Sequence, residues 1–161
     1  MIYLIDTSSL VCLTEKYPED VFKSLYKNME NEIKKDTINT PIQVLHEIKK
    51  RDDMLYNWLK DKKKFFIKTT EEIFQKAFQI IKIYPELIKN LGLNNNGDDP
   101  ADPYLISTAI ILNKENIYGE AQIKIITEEG TKKNHIPDIA NKYNIKSLHI
   151  LEFFKENNWQ F

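Results

Sequence analysis

Acidic residues crowd the start of an otherwise apolar segment, 97–109, which reads GDDPADPYLISTA. Pro100 and the negative charge around it are typical of the first turn of a helix, so Asp99 is predicted to be the N-cap and Asp98 a solvated loop residue. A helix advances by about 100° per residue, which places Asp102 within about 60° of the apolar stripe of this segment. Either Asp102 only stabilises the helix start, or its carboxylate points into a site.

Two further acids lie at positions where a site could form. Asp6 directly follows the apolar run 1–5, which is typical of a strand covered on both faces. Ligands of parallel sheets bind beyond the carboxyl ends of the strands, where Asp6 is expected to lie. Glu47 is on a predicted helix over 42–59, roughly 60° from its apolar line. The structural alternatives are a capping role for Asp6 and a solvated side chain for Glu47.

A fourth acidic position follows residues 122–127 (QIKIIT), which are predicted to form a strand and are followed by Glu128 and Glu129. Carboxylates from separate elements that meet at one edge of a sheet repel one another and raise one another's pKa values. A hard divalent cation relieves this repulsion, and a set of oxygen ligands favours Mg²⁺ or Mn²⁺. Such a cation can activate water and stabilise negative charge on a phosphodiester.

Short apolar runs alternate with amphipathic segments along the whole chain. This alternation predicts an α/β domain with a central, mostly parallel sheet flanked by helices. Further strands are predicted at 38–40, 65–67 and 145–148, and further helices at 10–13, 18–29, 69–89, 100–113, 136–143 and 149–156. Thr69 and Glu72 have the spacing of a capping box. The asparagines at 94–96 fall in a predicted loop.

Four stretches of the chain occur in an order that resembles the PIN-like ribonucleases. They are 6–8 (DTS), 43–48 (QVLHEI), 101–109 (ADPYLISTA) and 125–129 (IITEE). Members of that superfamily carry an acid after the first strand and a Glu in a V-x-x-E-like helix. A third acid opens a helix as D-x-x-I-A-x-A, and a fourth follows a strand as T-x-D. The tail, with 135–139 (HIPDI), Phe153-Phe154 and Trp159, resembles an uncharacterised bacterial PIN-like group.

The resemblance spans nearly the whole chain and implies a three-layer PIN-like α/β fold in a single domain over residues 1–161. It implies a divalent-metal-dependent endoribonuclease that hydrolyses RNA, often the toxin of a toxin–antitoxin pair. It further implies a cognate antitoxin protein as a partner and a homodimer as the assembly.

The resemblance also assigns roles to residues of this chain. The implied ligands of Mg²⁺ or Mn²⁺ are Asp6, Glu47, Asp102 and Glu129, and the residues that would support a water on the metal are Thr7 and Ser8. The T-x-D pattern places the fourth acid at Glu129, where a Glu replaces the Asp of the family. Glu128, which follows Thr127 directly, and Asp99 are alternative ligands, and the number of metals stays open.

Two basic clusters adjoin the helix that carries Glu47. One is Lys49-Lys50-Arg51, and the other is Lys62-Lys63-Lys64 within KDKKK at 60–64. They are predicted to bind RNA phosphates beside the acidic centre, since a chain with a formal net charge of −1 needs a local cationic surface for RNA. A solvated charged face is the structural alternative.

Composition limits the other classes of function. The 161 residues, of which 42% are hydrophobic and 29% charged, fit one globular domain. The single cysteine, Cys12, lies in an apolar run, so a packed thiol is expected and an intramolecular disulfide is excluded. No apolar run approaches the roughly 20 residues of a membrane span, so a cytoplasmic protein without a membrane partner is expected.

Other catalytic arrangements are poorly supported. His46, His135 and His149 have no obvious nucleophile beside them, and the chain has no glycine-rich phosphate loop. Two alternatives to a metal-dependent ribonuclease remain. One is a catalytically degenerate PIN-like module that binds RNA or a protein, and the other is an unrelated α/β phosphohydrolase.

Overall fold

The computed structural model describes residues 1–89, 99–115 and 123–161. Its strands are β1 (Ile2–Ile5), β2 (Ile38–Pro41), β3 (Phe66–Ile67), β4 (Ile123–Ile126) and β5 (Lys146–Leu148). Its helices are α1 (Thr7–Lys16), α2 (Lys23–Lys34), α3 (Ile42–Arg51), α4 (Asp53–Leu59), α5 (Glu71–Ile83), α6 (Glu86–Lys89), α7 (Ala101–Glu115), α8 (Ile136–Lys142) and α9 (Ile150–Glu156), with a 3₁₀ turn at Lys63–Phe65. Asp98, the predicted 94–96 loop and Gln122 lie outside the described residues.

The strands form one five-stranded sheet in the order β3-β2-β1-β4-β5. Every pairing is parallel, and β1 and β4 are in register from Ile2 opposite Ile123 to Ile5 opposite Ile126. The chain leaves β1 toward β2 and leaves β4 toward β5, in opposite directions across the sheet. This reversal opens a crevice between the carboxyl ends of β1 and β4, where parallel sheets bind ligands. The predicted α/β class with a parallel sheet is confirmed.

Hydrophobic cores lie on both faces of the sheet, which gives three layers. Tyr3 and Ile5 pack into a core that includes residues of α1, α2, α3, α4 and α9. Leu4 points to the opposite face and packs with residues of α5, α7 and α8. Alternate residues of β1 are therefore buried on opposite faces, which explains its unbroken apolar sequence. Cys12 is buried, as predicted for a packed thiol.

The predicted single helix over 42–59 is wrong, because the chain breaks it at Asp52. Asp52 has an extended backbone (φ −147°, ψ 98°), and its Oδ1 accepts a hydrogen bond from the Leu55 amide at 2.9 Å. An Asp side chain that binds a nearby backbone amide competes with helix continuation and favours a new N-terminus. α3 therefore ends directly before Asp52, and α4 begins directly after it.

Other predicted boundaries also differ from the structure, and the helix predicted over 10–13 runs from Thr7 to Lys16. α2 begins at Lys23 rather than at Pro18, so Val21 precedes the helix and is 68% exposed. The cap of α5 is Thr70, whose hydroxyl accepts from the Ile73 amide, rather than Thr69. The predicted helix to residue 89 ends at Ile83 because proline at 85 lacks an amide proton and disfavours helix before it.

Across the described ranges, the helices are all too short or too polar to cross a membrane.

Candidate active site

An open cleft of about 330 Å³ lies at the carboxyl ends of β1 and β4. Its acidic lining residues are Asp6, Glu47, Asp102 and Glu129. The other lining residues are Thr7, Ser8, Val11 and Arg51. The structure therefore brings into one cleft four acids that lie on separate parts of the sequence, together with the two hydroxyl residues predicted beside them.

Asp6 occupies the end of β1 and is only 3% exposed. Its Oδ2 accepts hydrogen bonds from the Ser8 hydroxyl at 2.5 Å and from the Thr127 hydroxyl at 3.1 Å. Burial, together with the neighbouring carboxylates of Glu129 and Glu47, raises the pKa of Asp6 to about 6, although the two hydrogen bonds lower it. Asp6 is thus a fixed carboxyl group that resists ionisation while it has no cationic partner.

Thr127 is a site residue that the sequence analysis did not single out. It directly follows β4, is 1% exposed, and its hydroxyl both donates to Asp6 and accepts from the Glu129 amide at 3.2 Å. Ser8 makes a second link, because its hydroxyl accepts from the Glu128 amide at 3.0 Å. These bonds hold the start of α1 against the segment after β4. The threonine of the T-x-D pattern was the available signal.

Glu47 connects three elements at the edge of the cleft. Its Oε2 accepts a hydrogen bond from the Thr7 hydroxyl of α1 at 2.7 Å. Its Oε1 accepts from the Ala101 amide, at the first residue of α7, at 3.1 Å. A carboxylate at a helix N-terminus is stabilised by the unpaired amides and the helix dipole. Glu47 is therefore half-buried and directed inward, as its helical phase indicated.

Asp102 lies in the first turn of α7 and differs from the other acids in the cleft. Its carboxylate accepts no hydrogen bond from any residue in the described ranges. Burial, together with the carboxylates of Asp6, Glu129 and Glu47, raises its pKa to about 9, although the charge of Arg51 lowers it. The Asp102 carboxyl group therefore lies beside three other carboxyl groups, and no hydrogen-bond donor among the described residues stabilises its negative charge.

Asp99 lies apart from this cluster. α7 begins at Ala101, so Pro100 directly precedes the helix, and the N-cap prediction for Asp99 is displaced by one residue. The Asp99 carboxylate accepts a hydrogen bond from the Tyr104 hydroxyl at 3.0 Å, and Asp99 does not line the cleft.

The two glutamates after β4 face different surroundings. Glu129 lines the cleft, and its Oε2 accepts from the Ile136 amide at the start of α8 at 2.8 Å, with the His135 ring 3.6 Å away. Glu128 instead binds the amide of Ile150 at the start of α9 at 2.8 Å, outside the cleft lining. Glu129 is therefore the one of the pair that shares the cleft with Asp6.

Neither of the two remaining histidines, His46 and His149, lines the cleft. The Nδ1 atom of His149 is 3.0 Å from the carbonyl oxygen of Thr127, and His149 precedes α9. His46 is exposed on α3.

The carboxylate oxygens of the cleft are suitable ligands for a hard divalent cation, although the acids are not yet arranged around one metal position. Within 1–89, 99–115 and 123–161, no three His, Cys, Asp or Glu side chains are arranged to hold a metal ion as they stand. Protein donors engage Asp6, Glu47 and Glu129, which orients them. Oxygen ligands around unrelieved negative charge suit Mg²⁺ or Mn²⁺, so the residues present fit such an ion after side-chain adjustment.

The predicted basic surface is divided in the structure. Arg51 lines the acidic cleft, whereas Lys62, Lys63 and Lys64 line a separate depression of about 360 Å³ with Glu30 and Ile33. Lys62 is ion-paired with Glu30 at 3.0 Å. The two depressions share no lining residue. A position of the three lysines beside the acids stays a prediction.

Lys49 lies on α3 with its amine 5.8 Å from the centre of the Tyr56 ring. Its side chain, like that of Lys50, is absent from the residues that line the acidic cleft. A role in RNA binding stays a prediction for all of these lysines.

The fold and the acidic cleft can be set beside known proteins. The chain belongs to the family described as a domain of unknown function, DUF4411, whose model matches residues 3–161. No curated protein matches the sequence. Among solved structures, the chain is similar to a chain of VapBC2 from Rickettsia felis bound to a DNA fragment from their promoter, with 17% identity and a TM-score of 0.46. That match covers 92% of this chain and 98% of the other, an extent of similarity that does not establish a shared function.

Proposed function

We propose that the protein is an endoribonuclease that requires Mg²⁺ or Mn²⁺ and hydrolyses RNA phosphodiester bonds. The observation that carries the proposal is the Asp102 carboxyl group, which lacks a hydrogen-bond donor among the described residues and shares a cleft with three further acids. The order of motifs that resembles the PIN-like ribonucleases gives the reaction class. A single PIN-like domain over residues 1–161 is part of the proposal.

The proposed ligands are Asp6, Glu47, Asp102 and Glu129. Glu129 is preferred to Glu128 and Asp99 because it lines the cleft, whereas the other two carboxylates bind Ile150 and Tyr104 elsewhere. A bound Mg²⁺ or Mn²⁺ supplies Lewis acidity, which lowers the pKa of water and neutralises charge on a phosphodiester.

Hydroxyl groups of the chain hold two of the acids in position. Ser8 and Thr127 hold Asp6, and Thr7 holds Glu47, through hydroxyl groups that donate to the carboxylates. Thr7 and Ser8 also line the cleft, where their oxygens can accept a hydrogen bond from a water. Orientation of Asp6 and Glu47 by hydroxyl donors is typical of metal sites, whose ligands are fixed by a surrounding layer of hydrogen bonds.

The biological setting follows from the resemblance alone. We propose that the protein acts as the toxin of a toxin–antitoxin pair in the cytoplasm, with a cognate antitoxin protein as its partner and a homodimer as its assembly. The lysines at 49, 50 and 62–64 are proposed to add distributed contacts to RNA phosphates.

RNA cleavage tests the proposed activity directly. A pool of defined single-stranded RNAs should be cut by the purified protein with Mg²⁺ or Mn²⁺ and left intact when the metal is chelated. Asp6→Asn is expected to reduce the rate by at least about 100-fold, because a neutral amide at the buried end of β1 binds the cation poorly.

Asp20→Asn is a matched control, since Asp20 is exposed and lies outside the cleft, and its rate should stay within about twofold of the wild type. Cleavage that persists in chelator, or that survives in Asp6→Asn, would overturn the proposed function.

A second candidate function is a degenerate module that binds RNA or a protein without cutting. It is favoured by the hydrogen bonds that already engage Glu47 and Glu129. Saturable metal binding without turnover on any RNA would support this candidate over the ribonuclease.

A further inference from the structure

Arg51 is the cationic residue of the acidic cleft. It occupies the last residue of α3, one turn after Glu47, and it lines the cleft with the four acids. No other Lys, Arg or His residue of the described ranges lines it. The position of Arg51 is fixed by the end of α3, because the chain leaves the helix at Asp52, whose side chain caps α4.

The guanidinium of Arg51 is not engaged by the acids around it. It contributes to a lower pKa of Asp102 through its charge, yet it forms no ion pair within 4.0 Å with any carboxylate that the structure describes. Lys62, by contrast, is paired with Glu30 and lies 4.9 Å from the centre of the Trp58 ring. Arg51 therefore keeps the planar fork of donors that binds a phosphate in a bidentate manner.

The negative charge of the four acids in this cleft repels a polyanionic substrate such as RNA. Four acids surround the position where the reacting phosphodiester must lie, and the lysines at 62–64 line another depression. Even with a divalent cation present, the phosphate group needs a cationic donor on the protein side of the cleft to fix its orientation. The guanidinium of Arg51 is exposed and has no ion-pair partner among the residues that the structure describes, so it is placed to serve as that donor.

We propose that Arg51 is a catalytic residue that binds the phosphate group being cut, while the lysines outside the cleft contribute only distributed attraction. This inference rests on the proposed ribonuclease function and assigns the contact with the reacting group. The charge of Arg51 and its planar geometry both matter, so lysine at this position is expected to be a poor replacement.

The test measures RNA binding and RNA cleavage separately for the same variants. Binding of a fluorescein-labelled single-stranded RNA is measured by anisotropy with Ca²⁺ in place of Mg²⁺ or Mn²⁺, and cleavage is measured with Mn²⁺. Arg51→Ala is expected to raise Kd about tenfold and to lower kcat/KM by about 100-fold, of which about tenfold is a fall in kcat. The slope of log Kd against log salt should fall by about 0.7, the value for one lost phosphate contact on a single strand.

Arg51→Lys separates charge from geometry. It is expected to keep the wild-type salt slope but to recover less than about a tenth of the lost kcat, because an ammonium group cannot make the bidentate contact. Lys155→Ala is the charge-matched control, since Lys155 is exposed in the last turn of α9 and away from the cleft, and it should stay within about twofold of the wild type. Thermal melts of Arg51→Ala and Arg51→Lys establish that each variant is folded.

The outcomes distinguish this inference from the proposed function. Wild-type-like binding and cleavage in Arg51→Ala overturn the role of Arg51 and leave the ribonuclease standing. Weaker RNA binding in Arg51→Ala, together with a wild-type protein that cuts no RNA, supports the phosphate contact and rejects the ribonuclease. A wild-type protein that binds no RNA overturns both.

Discussion

Replacing Asp102 with asparagine is expected to stabilise the metal-free protein and, at the same time, to abolish RNA cleavage. The Asp102 carboxyl group faces three other acids, and burial and their charge raise its pKa to about 9. Asparagine has nearly the same shape and carries no charge, so it removes the electrostatic cost of this position. The same change removes an anionic oxygen ligand that the proposed metal needs.

Both effects can be measured on one preparation. At pH 8 in chelator, the free energy of unfolding of Asp102→Asn should exceed that of the wild type by about 1–2 kcal/mol, and the melting temperature by about 3–6 °C. The rate of Mn²⁺-dependent RNA cleavage should fall at least about 100-fold. A stability gain accompanied by a loss of activity is typical of a residue kept for function.

Asp53→Asn provides the matched control, because Asp53 is also an acid in the first turn of a helix but is exposed and does not line the cleft. It should lower the free energy of unfolding by no more than about 0.5 kcal/mol through the helix dipole, and it should leave cleavage intact. If Asp102→Asn instead destabilised the metal-free protein, a protein group would be stabilising the Asp102 carboxylate of the wild type. The proposal that this carboxylate is free to bind a metal ion would then fail.

The second large effect is a fall in the stability of the metal-free protein as the pH rises. Burial first, and then nearby carboxylates, raise the pKa of Asp6 to about 6 and that of Asp102 to about 9, against 3.8 for each group ordinarily. The folded state therefore holds these protons more tightly than the unfolded chain does. The associated stability is present at low pH and is lost as the pH rises through each folded-state pKa.

The fall should amount to about 2–4 kcal/mol of unfolding free energy between pH 5 and pH 9, since screening reduces the contribution of the partly exposed Asp102. Saturating Mg²⁺ should remove most of this dependence, because the cation replaces the protons. Urea unfolding at pH 5, 7 and 9, with Mg²⁺ or with chelator, measures both effects. Comparison above pH 5 avoids the opposite effect of Glu30 and Glu156, whose pKa values are lowered by hydrogen bonds from Lys62 and Lys124.

Asp102→Asn serves as the internal reference for this titration, and its dependence on pH should be reduced to the smaller contribution of Asp6. A metal-free wild-type protein that is more stable at pH 9 than at pH 5 would show that both carboxyl groups are ionised at no cost, contrary to the structure. Unchanged stability on addition of Mg²⁺ at pH 9 would argue against a cation in this cleft.

The sequence was sufficient to select the acids that line the cleft, because their positions depend on local geometry. Asp6 follows a strand whose apolar residues are continuous, and strand ends of a parallel sheet share one edge. Asp102 and Glu47 follow from helical phase, which is set by the repeat of the helix and needs no tertiary information. The parallel sheet likewise follows from the alternation of strands with helices.

Other parts of the site depend on contacts between distant segments, which the sequence does not reveal. The hydroxyl of Thr127 links Asp6 to the backbone of residue 129, across 121 positions from Asp6. The T-x-D pattern already favoured Glu129 over Glu128, and the structure adds the helix N-terminus that each carboxylate meets, α8 for Glu129 and α9 for Glu128.

Helical periodicity continues through Asp52, which is why a single helix was predicted there. In the structure the side chain of Asp52 caps α4 instead. Lys62, Lys63 and Lys64 line a depression separate from the acidic cleft, and within the described part of the chain Arg51 is the cationic residue that lines the cleft.

The central claim is that the four acids of the cleft bind a divalent cation, and calorimetric titration of Mn²⁺ into the metal-free protein at pH 8 tests it most directly. We predict saturable binding to the wild type and to Asp53→Asn, with proton release, and affinity weakened at least about tenfold in Asp102→Asn. A wild-type protein that takes up no Mn²⁺, or an Asp102→Asn variant that binds Mn²⁺ as tightly as the wild type, would contradict it.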